Sequence, residues 1–202
     1  IVGIVYASCI AIVQNDLKTL VAYSSIAHVG LMCAVIFSRT EQGLQGVLIQ
    51  MFNHGINIIG MWVMVDIIER KLHTTKISEL GGISKHAGNM AIAFVIICLS
   101  NIALPLTNGF IGEFLMFTGL YHYNGWMMFF AGLAVILGAV YILNMLQKVI
   151  FGNSNNLTQN ITDLAIGEWI TVIVIIGLII FVGVYPEPML QGISGITALF
   201  VH

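Results

Sequence analysis

LPLTNGFIGEF, residues 104 to 114, lies inside an apolar run long enough to cross a bilayer, yet it holds both a proline and a carboxylate. Pro105 has no N–H to donate and its ring clashes with the preceding turn, so a helix through this stretch must kink or open. Asn101, Thr107 and Asn108 stand near enough in sequence to cap the backbone groups freed there. Glu113 follows eight residues after the proline. Interrupted backbone at membrane depth is tolerated only where it is buried in protein or lines a cavity. The stretch therefore reads as the middle of an all-α, polytopic membrane protein.

Working outward, the whole chain has that character. Its 202 residues are 58% hydrophobic and 8% charged, with a mean hydropathy of +0.98, where a soluble domain carries about a quarter charged residues. Apolar runs recur along its length, which excludes a soluble domain on a single anchor and a secreted protein behind a signal peptide. Six transmembrane helices are expected, at 1–14, 17–38, 44–69, 88–121 with a break near Pro105, 124–151 and 168–186. The period-2 alternation of a membrane barrel is absent from the sequence. The expected organisation is a five-helix unit over 1–151, then a connecting loop, a last transmembrane helix and a C-terminal tail over 152–202. Position 1 is Ile within an apolar segment, which suggests that an upstream portion precedes it. Cys9, Cys33 and Cys98 are scattered, so they encode no local zinc or iron–sulfur site and are expected to fill apolar space. A net charge of −2 gives no footing for nucleic acid.

Alternating the loops across the bilayer puts Lys18, Arg70, Lys71, Lys76, Lys85 and Lys148 on one side and Arg39 on the other. By the positive-inside rule the first side faces the cytoplasm, or the matrix of a mitochondrion. Counting from Lys18 at 1.5 Å per residue sets His28 ~15 Å deeper, half the hydrocarbon thickness. Ser24 and Ser25 lie one turn before it. Gln50, Asn53, His54 and Asn57, at i, i+3, i+4 and i+7, form one polar stripe that must face protein or water, with His54 at the midplane. Tyr141, Asn144 and Lys148 suggest a wet path toward the cytoplasmic side.

Each group also has an ordinary reading. A histidine at His28 or His54 can simply glue helices together, Lys18 can snorkel to the interface, and WMMFF, residues 126 to 130, can face lipid or fill the core. Glu113 resists such a reading, because a midplane carboxylate costs ~2.5–3.5 kcal/mol on insertion scales. Burial generally raises the pKa of a carboxylic acid and lowers that of an imidazole, so the two exchange a proton with little driving force. Glu113, His28 and His54 are thus a candidate proton relay, with Lys18 in an entrance or structural role. A different chemistry, His28 and His54 as axial haem ligands, and a purely structural bundle are the alternatives.

Four stretches, QNDLKTLVAYSSIAHVG (14–30), NHG (53–55), IIERKLHTTKISELGGISK (67–85) and NIALPLTNGFIGEF (101–114), together resemble the C-terminal half of the antiporter-like subunits of respiratory complex I, the NADH:quinone oxidoreductase. The likeness is greatest to the subunit M branch, whose mitochondrial counterpart is NADH dehydrogenase subunit 4. It implies a fold with two inverted five-helix repeats, each with one discontinuous helix, of which residues 1–151 would be the second. It places the family's proton-path residues at Glu113, His28 and His54, and its DLK position at Lys18. The family's first repeat lies outside these residues, and its LPG motif at the break has Leu106 in place of the glycine. No cofactor is expected in this chain; FMN, iron–sulfur clusters and quinone would belong to other subunits. The expected partners are neighbouring antiporter-like membrane subunits and the lipid bilayer, in a bacterial cytoplasmic membrane. A subunit of an Mrp-type sodium/proton antiporter is the alternative within the same family.

Overall fold

A computed structural model describes residues 1–197, and the side chains of 1–193. Eight α-helices occur among the described residues: α1 (Val2–Ile12), α2 (Leu17–Ser38), α3 (Glu41–Leu72), α4 (Gly88–Asn101), α5 (Asn108–Tyr123), α6 (Gly125–Val149), α7 (Ile166–Val184) and α8 (Glu187–Thr197). No strand is among the described residues. Helices α2, α3, α6 and α7 are long and apolar enough to cross a membrane, and α1 and α4 are shorter apolar helices. The span expected over 88–121 is split into α4 and α5.

The ends differ from the sequence expectation for local reasons. Helix α3 runs beyond 69 to Leu72, with Arg70 and Lys71 in its last turn, where cations favour the negative end of the helix dipole. It stops at His73, which adopts a left-handed φ of 54°. Helix α8 forms where the sequence suggested a tail; residues 198–202 of that tail lie outside the described residues. Cys98 is buried, but Cys9 and Cys33 are exposed on the outer faces of their helices, so these two do not fill the core as expected.

Hydrogen bonds and ion pairs gather the predicted basic loops at one end of the bundle. Leu17 N donates to Thr75 O (2.9 Å) and Ile77 N to Asn15 O (2.8 Å), an antiparallel bridge between the loop before α2 and the loop after α3. Asp16 caps α2 by accepting from Thr19 N at 2.9 Å and also accepts from the Thr75 hydroxyl. Ser84 N donates to Ile150 O at 3.2 Å, which ties the loop before α4 to the end of α6. Lys71 pairs with Glu168 at 3.1 Å, joining the end of α3 to the start of α7. Two apolar clusters fill the bundle. One, around Leu17, Val21, Met64, Ile68, Phe94 and Leu146, occupies the half next to these loops. The other, around Leu31, Val35, Val47, Met116 and Leu120, occupies the opposite half.

Asp163 anchors α4 by accepting from Met90 N (2.9 Å) and Asn89 N (3.1 Å), and it also accepts from Leu164 N (2.8 Å). Partial burial pushes its carboxyl upward, but these amides outweigh that and hold it below the ordinary carboxylate value. A depressed folded pKa means stability that is present above the unfolded value and lost as pH falls through the folded one. Asp163→Ala is expected to cost about 1 kcal/mol at neutral pH, as for other helix caps. The deficit relative to wild type should shrink on acidification, read as the difference in thermal midpoint across the carboxylate range.

Candidate functional site

The break is two consecutive turns, each placing a non-glycine residue at a left-handed position. Helix α4 ends in a Schellman arrangement: Leu104 N donates to Leu99 O (3.1 Å), Ala103 N to Ser100 O (3.1 Å), and Ala103 has φ 54°. Thr107 N then donates to Leu104 O (3.0 Å) across Pro105 and Leu106, with Leu106 at φ 73°. Proline second and a positive φ third is the pattern of a type II turn, where glycine is preferred. Leu106 stands there against a steric cost of roughly 1–2 kcal/mol. Its side chain is largely exposed and contributes little packing to offset this. Leu106→Gly should therefore stabilise the assembled protein, and a thermal midpoint at or below wild type would contradict the assignment of strain.

The freed backbone is satisfied only partly as expected. Thr107 Oγ1 donates to Leu104 O at 2.6 Å. Asn108 reaches across to α3 instead: Asn53 Nδ2 donates to Asn108 O (2.7 Å) and Asn108 Nδ2 to Asn53 O (3.3 Å). Ser100, which the sequence reading passed over, completes this lock. Its hydroxyl lies 2.9 Å from Asn57 Oδ1 and 2.6 Å from Asn108 Oδ1, and its carbonyl accepts from Asn57 Nδ2 at 3.2 Å. Asn101 turns away from the break, donating from Nδ2 to Ser24 Oγ at 3.0 Å. The polar stripe of α3 is buried throughout, and its Asn53 and Asn57 hold the two half-helices at the middle of that helix.

Glu113, His28 and His54 come together beside this lock. His28 Nδ1 is 3.2 Å from Glu113 Oε1, an ion-pair separation without hydrogen-bond alignment. The rings of His28 and His54 have centroids 5.2 Å apart and are tilted by 37°. His54 Nε2 lies 3.0 Å from Ser25 Oγ. Glu113 is 4% exposed and His54 8%, so each change of charge there is felt in a low-dielectric setting. Tyr141 also enters the site, donating to Ser24 Oγ at 2.9 Å. The rest of its expected stripe does not continue a wet path: Asn144 is half-buried, Lys148 is exposed, and apolar Met145, Leu146 and Val149 fill the side toward the basic loops. Lys18 is outside the cluster, at the bundle end, paired with Glu69 at 2.7 Å. The adjoining cavity leaves about 20 Å³ for the centre of a water molecule. With His28 facing Glu113, His54 facing Ser25 and no room for a macrocycle, the pair does not suit haem ligation.

The fold and site define a helical membrane protein whose broken helix carries a buried carboxylate against two histidines. Residues 1–138 match the family described as "NADH:quinone oxidoreductase/Mrp antiporter, TM", and the chain belongs to that family. It is 41% identical over 192 residues to "NADH-quinone oxidoreductase subunit M" of Rickettsia prowazekii (strain Madrid E), a match that covers 95% of this chain and 39% of that protein. A chain of respiratory complex I from Thermus thermophilus with bound NADH superposes with a TM-score of 0.94 at 28% identity, covering 99% of this chain and 42% of that one. A chain of the Mrp complex from Dietzia sp. DQ12-45-1b superposes with a TM-score of 0.84 at 12% identity, covering 98% of this chain and 45% of that one, a likeness of fold alone. The chain thus spans well under half the length of the relatives it matches.

Proposed function

We propose that this chain is part of a proton-translocating membrane subunit of the NADH:quinone oxidoreductase kind, of the subunit M branch, in a bacterial cytoplasmic membrane. The observation that carries the reading is the 3.2 Å approach of Glu113 to His28, with His54 behind it, at the middle of the bundle. Identity of 41% over 95% of this chain to a subunit M supports this branch of the family.

In this reading Glu113 and the two imidazoles pass a proton among themselves, and Ser25 extends the path beyond His54. The apolar clusters on both sides keep the proton from leaking between uptake and release. Redox chemistry belongs to other subunits, since the relay groups move protons only. The second repeat of the fold would be residues 1–151, with α4 and α5 as its discontinuous helix. Lys18, paired with Glu69, would serve at the cytoplasmic entrance. The test uses the intact membrane complex in liposomes, with protons moved per quinone reduced compared between wild type and Glu113→Gln. Activity that follows a sodium gradient and ignores NADH would favour the antiporter branch instead.

A further inference from the structure

The cavity beside Glu113 has walls that include His28, Asn101, Glu113 and Tyr141, and it has room for one water. Two acceptors from those walls, Asn101 Oδ1 and Glu113 Oε1, are buried and receive no hydrogen bond from the protein. Leaving such atoms unpaired is costly, and a site with several polar partners is the kind that holds an ordered water. The orientation of the Asn101 amide does not change the outcome. Reversing it would let Ser24 donate to Oδ1 and would leave Nδ2 as the group without a partner. Asn101 itself is 3% exposed and is fixed by Ser24, whose hydroxyl oxygen takes bonds from Asn101 (3.0 Å) and Tyr141 (2.9 Å).

We propose that this cavity is a binding site for a single water molecule held between Asn101 and Glu113, with Ser24 and Tyr141 as positioning residues that hold Asn101 in place. The proposal deepens the relay reading and rests on it. Asn101 is the last residue of α4 and Glu113 belongs to α5, so the water would bridge the two halves of the broken helix. A small shift of one half against the other would then change the hydrogen bonding of the Glu113 carboxyl, which links the conformation of the break to proton release.

The experiment is infrared difference spectroscopy of the intact complex in H₂¹⁶O and H₂¹⁸O. The carboxylic acid C=O band of Glu113 is assigned by its loss in Glu113→Gln. In wild type, one water O–H band should shift with ¹⁸O. In Asn101→Leu that band should vanish and the Glu113 C=O band should move to higher frequency, as expected when a hydrogen bond is lost. Ser24→Ala and Tyr141→Phe should move the C=O band in the same direction, and Ser24→Thr, which keeps the hydroxyl, should restore it. Should Asn101→Leu fail to assemble, Tyr141→Phe carries the same reading, since it removes one oxygen from a ring that stays packed. A C=O band unmoved in Tyr141→Phe and Ser24→Ala, with no ¹⁸O-sensitive band, would overturn the water site. If Glu113→Gln meanwhile stops proton movement, the relay survives that failure; if it does not, the relay fails first.

Discussion

Glu113→Gln in the intact complex is expected to lower the proton flux through this chain by about 100-fold or more, the scale of losing a positioned acid–base group. The substitution nearly preserves shape, so assembly should persist. Its amide oxygen can still lie near His28, where Glu113 Oε1 is at 3.2 Å. What it removes is the ability to change charge. At 4% exposure the carboxyl has little bulk water to exchange with, and in the proposed relay its proton partner would be His28, 3.2 Å away, with His54 behind it. The measurement is the ratio of protons translocated to quinone reduced, and the flux that remains is whatever other subunits carry. Glu113→Asp, which keeps the charge but shortens the reach, should fall between the two. A ratio in Glu113→Gln equal to wild type would remove the relay and leave a membrane bundle with an unusually placed acid.

Much of this site is legible in the sequence. Membrane helices satisfy their own backbone, so length and hydropathy locate them, and a count from Lys18 along a helix is a count of depth. That is why His28, His54 and Glu113 could be set at one level from sequence alone. The proline announced the break, and the LPG comparison pointed to the residue that holds the left-handed turn, Leu106 at φ 73°. What could not be read was direction around each helix at the break, because two turns with φ of 54° and 73° reset the phase between α4 and α5. For that reason Asn101 faces Ser24 where a cap was expected, and Ser100 emerges as the centre of the amide lock. The stripe of Tyr141, Asn144 and Lys148 misled for a related reason. Positions i, i+3 and i+7 share a side only approximately, and the apolar residues between them decide whether water could follow.

Gly46→Ala is expected to be strongly damaging, although it adds only one methyl group. Helices α3 and α5 approach so closely that a Cβ at residue 46 would lie 2.6 Å from Met116 N, 2.8 Å from Leu115 Cβ and 2.9 Å from Gly112 O. Two of these three atoms are backbone, so the clash is relieved only by moving one helix away from the other. Overpacking of this kind costs about 3 kcal/mol or more where rotamers cannot absorb it. The same contact line continues to Gly112, whose own missing side chain makes room for Gln50, and the next residue is Glu113. Separation of α3 from α5 therefore also pulls on the Asn53–Asn108 bonds of 2.7 and 3.3 Å and shifts Glu113 relative to His54. Both the thermal midpoint of the detergent-solubilised complex and its proton-to-quinone ratio should drop in Gly46→Ala. Gly55→Ala is the matched control on the same helix: no atom lies within 4 Å of its added Cβ, so only the helix propensity term remains. That term favours alanine by roughly 0.5–1 kcal/mol. The two substitutions add the same methyl to one helix and should move the midpoint in opposite directions; equal shifts would mean that the close approach of α3 and α5 does not hold this site in place.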